Sequence, residues 1–88
     1  MENMKTFDYT VKDELGIHAR PAGLLVKEAK NFTSKITIKK GEKEVDATRA
    51  MAVMALGVKQ GETVTVNVDG ADEDAAVAAM KAFFEKEL

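Results

Sequence analysis

The sequence predicts a two-layer α/β sandwich in the order β-α-β-β-α-β-α, its mainly antiparallel sheet covered by helices on one side and open to water on the other. Three observations carry this expectation. Four segments alternate apolar and polar residues, so each strand has a single apolar face. Three others repeat apolar residues at helical spacing. Short connections separate them, four of the six containing Gly, as neighbouring antiparallel elements allow.

Taken in order, Thr6 to Lys12 places Phe7, Tyr9 and Val11 on one face and Asp8, Thr10 and Lys12 on the other, which is a strand. Leu15-Gly16-Ile17 breaks that alternation, and from Ala19 the residues Ala22, Leu25, Val26 and Ala29 mark a helix ending near Asn31, a residue that tolerates a left-handed cap. Ile36 and Ile38 alternate with Lys35, Thr37 and Lys39. Lys40-Gly41-Glu42 then turns the chain into Val45 and Ala47, so the pair reads as a hairpin. Thr48 is placed to cap a short helix that runs to about Leu56 and stops at Gly57. After Gly61, Val64, Val66 and Val68 share one face of a fourth strand within Thr63 to Val68. Asp69-Gly70 ends it. Asp72, Glu73 and Asp74 then crowd the first turn of a last helix, where negative charge meets the positive end of the dipole, and Val77, Met80 and Phe84, helped by Ala76 and Phe83, supply its buried stripe.

Length and composition narrow the function classes. A chain of 88 residues has little more apolar surface than one core requires, so residues 1–88 are expected to form a single domain. Hydrophobic residues make up 45% and charged residues 32%, with one Pro, which is a globular composition and not a disordered one. There is no Cys, which excludes disulfides, a thiolate nucleophile and Cys-based metal sites. No stretch approaches the roughly 20 apolar residues that span a bilayer, and the first residues lead into a strand rather than a signal peptide. A cytoplasmic protein without membrane insertion is expected. The net charge of -2 is unevenly distributed: Arg20 to Arg49 carries +4 and Glu62 to Leu88 carries -5. The basic segment is too mixed for nucleic acid and better suited to an acidic protein partner.

The only histidine lies in Gly16-Ile17-His18-Ala19-Arg20-Pro21-Ala22, where the first strand gives way to the first helix. A helix start normally takes Ser, Thr, Asp or Asn at the cap and acids in its first turn. Here His18 stands at the cap and Arg20 in the first turn. Two local preferences are broken together, and the result concentrates positive potential beside unpaired N–H groups. Pro21 suits this turn because its missing N–H falls where no helical partner exists. A phosphoryl group accepted on the imidazole of His18 would set its oxygens against backbone N–H donors and the Arg20 guanidinium. That chemistry needs no metal and no cofactor. The bland alternative is a His that merely caps the helix.

These residues, with Leu25-Val26-Lys27-Glu28-Ala29, Met51-Ala52-Val53-Met54-Ala55-Leu56-Gly57 and Asp69-Gly70-Ala71-Asp72-Glu73, resemble in four ordered places HPr, the histidine phosphocarrier family of the bacterial phosphoenolpyruvate-dependent sugar phosphotransferase system. The resemblance covers nearly the whole chain. It implies an open-faced sandwich with strand order 1-4-2-3 and three helices on one face. It also implies that His18 takes phosphate on Nδ1 from phosphorylated enzyme I and passes it to the IIA domains of sugar permeases, the protein acting as a monomeric carrier and a substrate of enzyme I rather than an enzyme. The alternatives are a nitrogen-related or regulatory paralogue, and a module that holds an anion at the helix start without chemistry.

Partner docking is expected around that site. Ala19 and Pro21 belong to the helix start; Arg20 and Lys27 share one side of the first helix with Leu24 between them and Lys30 a turn further on. Ala50 to Leu56 is apolar throughout, although a short helix over a sheet buries only one side. Val53 and Leu56 suit the inward side, leaving Ala50, Met51 and Met54 outward or at the margin, and exposed Met adapts to several partners. Arg49 departs from a pattern: it stands where many members of the family carry a regulatory serine, and offers no hydroxyl. Thr48 does not simply substitute, since one residue rotates a helical side chain by about 100°. Arg49 instead reads as a surface charge or as part of the basic docking rim.

Overall fold

The computed structural model describes residues 5–88. It contains β1 (Lys5–Thr10), α1 (Ala19–Ala29), β2 (Lys35–Lys40), β3 (Lys43–Asp46), α2 (Ala50–Ala55), β4 (Thr63–Asp69) and α3 (Glu73–Glu87). The strands form one antiparallel sheet in the order β1-β4-β2-β3. Strand order and element order agree with the expected sandwich.

Register follows from the alternation. Phe7 pairs with Val66, Tyr9 with Val64, Ile36 with Val68 and Ile38 with Val66, so the apolar residues of three strands fall on one face. There Ile36, Ile38, Val64, Val66 and Val68 are buried against Ala22, Leu25 and Ala29 of α1, Val53 of α2, and Ala76, Met80 and Phe84 of α3. Phe84 is the largest buried side chain, and Phe7 and Tyr9 meet its ring edge-on at centroid distances of 5.9 and 5.5 Å. The opposite face is a polar ladder. Thr37 Oγ1 and Asn67 Nδ2 both donate to Glu44 Oε2, at 2.6 and 3.1 Å, and Thr65 Oγ1 donates to Asp8 Oδ1 at 2.7 Å.

Three local expectations are corrected. Asn31 does not take a left-handed cap: no residue other than Gly has a positive φ among the described residues, and α1 ends at Lys30 in a right-handed turn whose next amides bond to Glu28 and Ala29. Thr48 does not cap α2. Its hydroxyl and its N–H both donate to Asp46 Oδ1, at 2.6 and 2.8 Å, and the cap position falls to Arg49, which makes no side-chain cap bond. β1 ends at Thr10, not Lys12, because the amides of Lys12 and Asp13 turn away to the Leu88 backbone oxygen.

Asp72 does more than charge a helix start. As the cap residue of α3, it accepts the N–H of Thr33 and of Ser34, both at 2.9 Å, and the Ser34 hydroxyl. These bonds hold its carboxyl below the usual Asp range, the Ser34 hydroxyl contributing most. Gly70 makes the approach possible, since a Cβ there would collide with Ser34.

Candidate functional site

The site begins in the loop between β1 and α1. Val11 continues the sheet pairing through Glu62 and Gly61; Lys12 and Asp13 donate to the Leu88 backbone oxygen at 2.6 and 2.9 Å; Gln60 Nε2 donates to the Lys12 carbonyl at 3.1 Å. Asp13 then closes a turn. Its carbonyl accepts the Gly16 N–H and its Oδ1 accepts the Leu15 N–H, both at 2.9 Å. Gly16 adopts φ 68° and lies so close to the chain at Val58 that a Cβ would strike the Val58 carbonyl, while Ile17 anchors the loop by burial and by an N–H bond of 3.1 Å to that same oxygen. The loop is thus tied at both ends before it reaches His18.

His18 is the cap residue of α1, in extended conformation, and its side chain makes no cap hydrogen bond. Its carbonyl accepts the Ala22 N–H at 3.0 Å. Since Pro21 has no N–H, the first-turn donors without a helical partner are those of Ala19 and Arg20. No acid lies in the first turn, and no carboxylate pairs with Arg20 among the described residues. Pro21 is buried, Ala19 and Arg20 are exposed, and the imidazole is about one-third exposed. The arrangement presents a solvent-reachable imidazole beside a guanidinium and two free amides, which together suit a tetrahedral anion.

The other expected site residues fall into two strips. Met51 is 78% exposed on α2, with Arg49 exposed at the cap and Ala50 half-buried. Met54 is half-buried and packs against the core that Val53 and Leu56 enter. On the far side of α1, Leu24 and Lys27 line an open groove of about 460 Å³ with Ala79, Phe83 and Lys86 of α3. Lys30 is exposed in the turn that ends α1. Leu24 and Met51 therefore belong to different borders of the helical layer.

Three residues escaped the sequence reading. Leu15 is 71% exposed, an apolar side chain held out by the turn just before Gly16. Asp13, two residues earlier, brings Oδ1 to 4.0 Å from His18 Nε2. The only signal for either was an Asp two residues before an apolar residue in a loop, the spacing of an Asx-turn. Lys40 lies in the β2–β3 turn by sequence, yet its Nζ donates to the carbonyls of Gly57 at 3.0 Å and Leu56 at 3.4 Å and pairs with Glu62 at 3.0 Å. It satisfies the C-terminal carbonyls of α2 and, with the Lys59 amide, holds the Glu62 carboxyl below its ordinary range.

Comparison with known proteins identifies the family. Residues 5–86 match the family described as PTS HPr component phosphorylation site. The chain is 44% identical to a phosphocarrier protein HPr of Mycoplasma capricolum over 78 residues, covering 89% of this chain and 88% of that one. It is 47% identical to an HPr-like protein Crh of Halalkalibacterium halodurans over 77 residues, covering 88% and 92%. A solved histidine-containing phosphocarrier protein from Mycoplasma superposes with a TM-score of 0.90 at 40% identity over 93% of each chain. Such agreement over nearly the full length, in sequence and in three dimensions, places the chain in the HPr family of phosphocarrier proteins of the phosphotransferase system.

Proposed function

We propose that this chain carries a phosphoryl group on Nδ1 of His18, accepting it from phosphorylated enzyme I and delivering it to IIA domains of sugar permeases. One observation carries the reading: the single histidine caps α1 without using its ring, in a first turn that holds Arg20 and no acid. The ring nitrogen attacks phosphorus as the donor's bond to phosphorus breaks. The oxygens are received by Arg20 and the amides of Ala19 and Arg20, and the reverse displacement hands the group on. Partners dock over the helical layer, with Met51 exposed at one border, Leu24 at the other, and Lys27, Lys30 and Arg49 as a basic rim. The carrier works as a monomer in the cytoplasm, and with Arg49 in the regulatory position and the Thr48 hydroxyl bound to Asp46 it offers no serine-type regulatory site there.

Purified enzyme I and phosphoenolpyruvate are expected to add a single acid-labile phosphate to this chain and none to His18→Ala. Retained acid-labile phosphate in that variant would end the assignment. The identity to an HPr-like protein Crh fits, loosely, a second reading as a regulatory paralogue, and this chain's own His18 would then make it one that keeps the histidine. A chain that accepts phosphate but passes none to any IIA domain would support that reading over sugar transport.

A further inference from the structure

One carboxylate faces the imidazole, and it is not free to wander. Asp13 Oδ1 stands 4.0 Å from His18 Nε2, with both side chains about one-third exposed. The same oxygen accepts the Leu15 N–H at 2.9 Å, the Asp13 carbonyl accepts the Gly16 N–H at 2.9 Å, and the Asp13 N–H donates to Leu88 at 2.9 Å. Three bonds thus fix the residue that approaches the ring from its Nε2 side.

We propose that Asp13 is a positioning residue for His18: it selects the ring tautomer that carries its proton on Nε2 and leaves the lone pair on Nδ1. The proposal rests on the reading of His18 as the phosphoryl acceptor. An ionised carboxylate only accepts, so it attracts an N–H opposite it and repels a lone pair there. At 4.0 Å the effect is electrostatic and not a hydrogen bond. A neutral imidazole has one proton for two nitrogens, so a proton held at Nε2 makes Nδ1 the nucleophile. When the Nδ1 pair forms the bond to phosphorus, the donor departs with the electron pair of the bond that breaks. No proton moves. The positive charge the ring gains is shared with Nε2–H, where Asp13 meets it; on delivery the electron pair returns to Nδ1.

The test begins with the unaltered protein. Long-range ¹⁵N–¹H correlation of the His18 ring, at a pH where the ring is neutral, is expected to show the proton mainly on Nε2; a proton mainly on Nδ1 overturns the proposal without any variant. Asp13→Asn keeps an acceptor oxygen for the Leu15 N–H on the side facing Nε2 but removes the negative charge, which weakens the preference for the Nε2–H tautomer. Its ring signals are expected to shift toward Nδ1–H, and its initial rate of phosphoryl acceptance to fall about two- to fivefold, the range of a partly exposed charge contact. Unchanged ring signals and rate in a folded Asp13→Asn defeat the proposal. His18→Ala runs alongside: if that variant still accepts acid-labile phosphate, the acceptor assignment itself has failed, whereas an inert His18→Ala with an indifferent Asp13→Asn removes Asp13 alone.

Discussion

Arg20 is the residue whose cost to the fold and use to the site differ most. It lies in the first turn of α1, exposed and without a carboxylate partner among the described residues, where a cation opposes the helix dipole by about 0.3–1 kcal/mol. Arg20→Ala is therefore expected to leave the melting temperature unchanged or slightly raised. Losing a charge-assisted bond to the phosphoryl oxygens is expected to slow transfer about ten- to hundredfold. Thermal unfolding beside single-turnover kinetics reads both; a destabilised protein with normal transfer would make Arg20 structural. This residue was legible beforehand because, with His18, it breaks two helix-start preferences in succession. Asp13 and Leu15 were not. A loop has no periodicity to read, and their orientation depends on bonds to Leu88 and Val58, far away in sequence. The caps expected at Asn31 and Thr48 failed for a related reason: Asp46, across a tight turn, competes for the Thr48 hydroxyl and wins, and α1 closes by a right-handed turn that needs no special residue.

At the scale of elements, α2 has six residues, no side-chain cap and no acid at its start, so little of its stability is its own. Val53 and Leu56 fasten it to the core and Lys40 holds its terminal carbonyls. A surface built on such a fastened helix can be altered without loosening it. Met51→Asp, at a side chain 78% exposed, is expected to leave the fold intact and, on the proposed function, to weaken binding to both enzyme I and a IIA domain, because it places a charge on an apolar part of the proposed contact. NMR titration with each partner checks this, and unchanged affinities in the folded variant would exclude Met51 from docking. Met54→Asp is a poorer probe, since Met54 packs against the core. Type and order of all seven elements were readable from alternation and helical spacing, which are local properties. That Leu24 and Lys27 face a groove shared with α3 was not, because the side on which α3 lies against α1 is a matter of tertiary packing.

Across the whole molecule, the strand order came through family resemblance and not from spacing, since β1 pairs with β4 and nothing local records so distant a partner. A second distant tie is Asp72, which joins the start of α3 to the segment entering β2. Its carboxyl is lowered from the ordinary value of 3.8 by the Ser34 hydroxyl first and the Thr33 amide next. A lowered carboxyl binds fewer protons folded than unfolded, so the stability it contributes is complete above that ordinary value and is lost as pH falls through the lower folded one. Asp72→Asn is expected to unfold at a lower temperature than the unaltered protein near neutral pH, with the gap narrowing in acid below 3.8. Melting curves across that range test it, and a constant gap would mean that the carboxylate charge is not what matters. The bond from Lys12 and Asp13 to Leu88 has a consequence of another kind, in time. A ribosome makes His18 early and α3 after every other element of the fold, while β4, the partner of β1, also comes late. During much of its synthesis the chain therefore bears the histidine without the scaffold that positions it. The loop that leads to His18 gains its last support only when Leu88 has been made and α3 has folded onto β1.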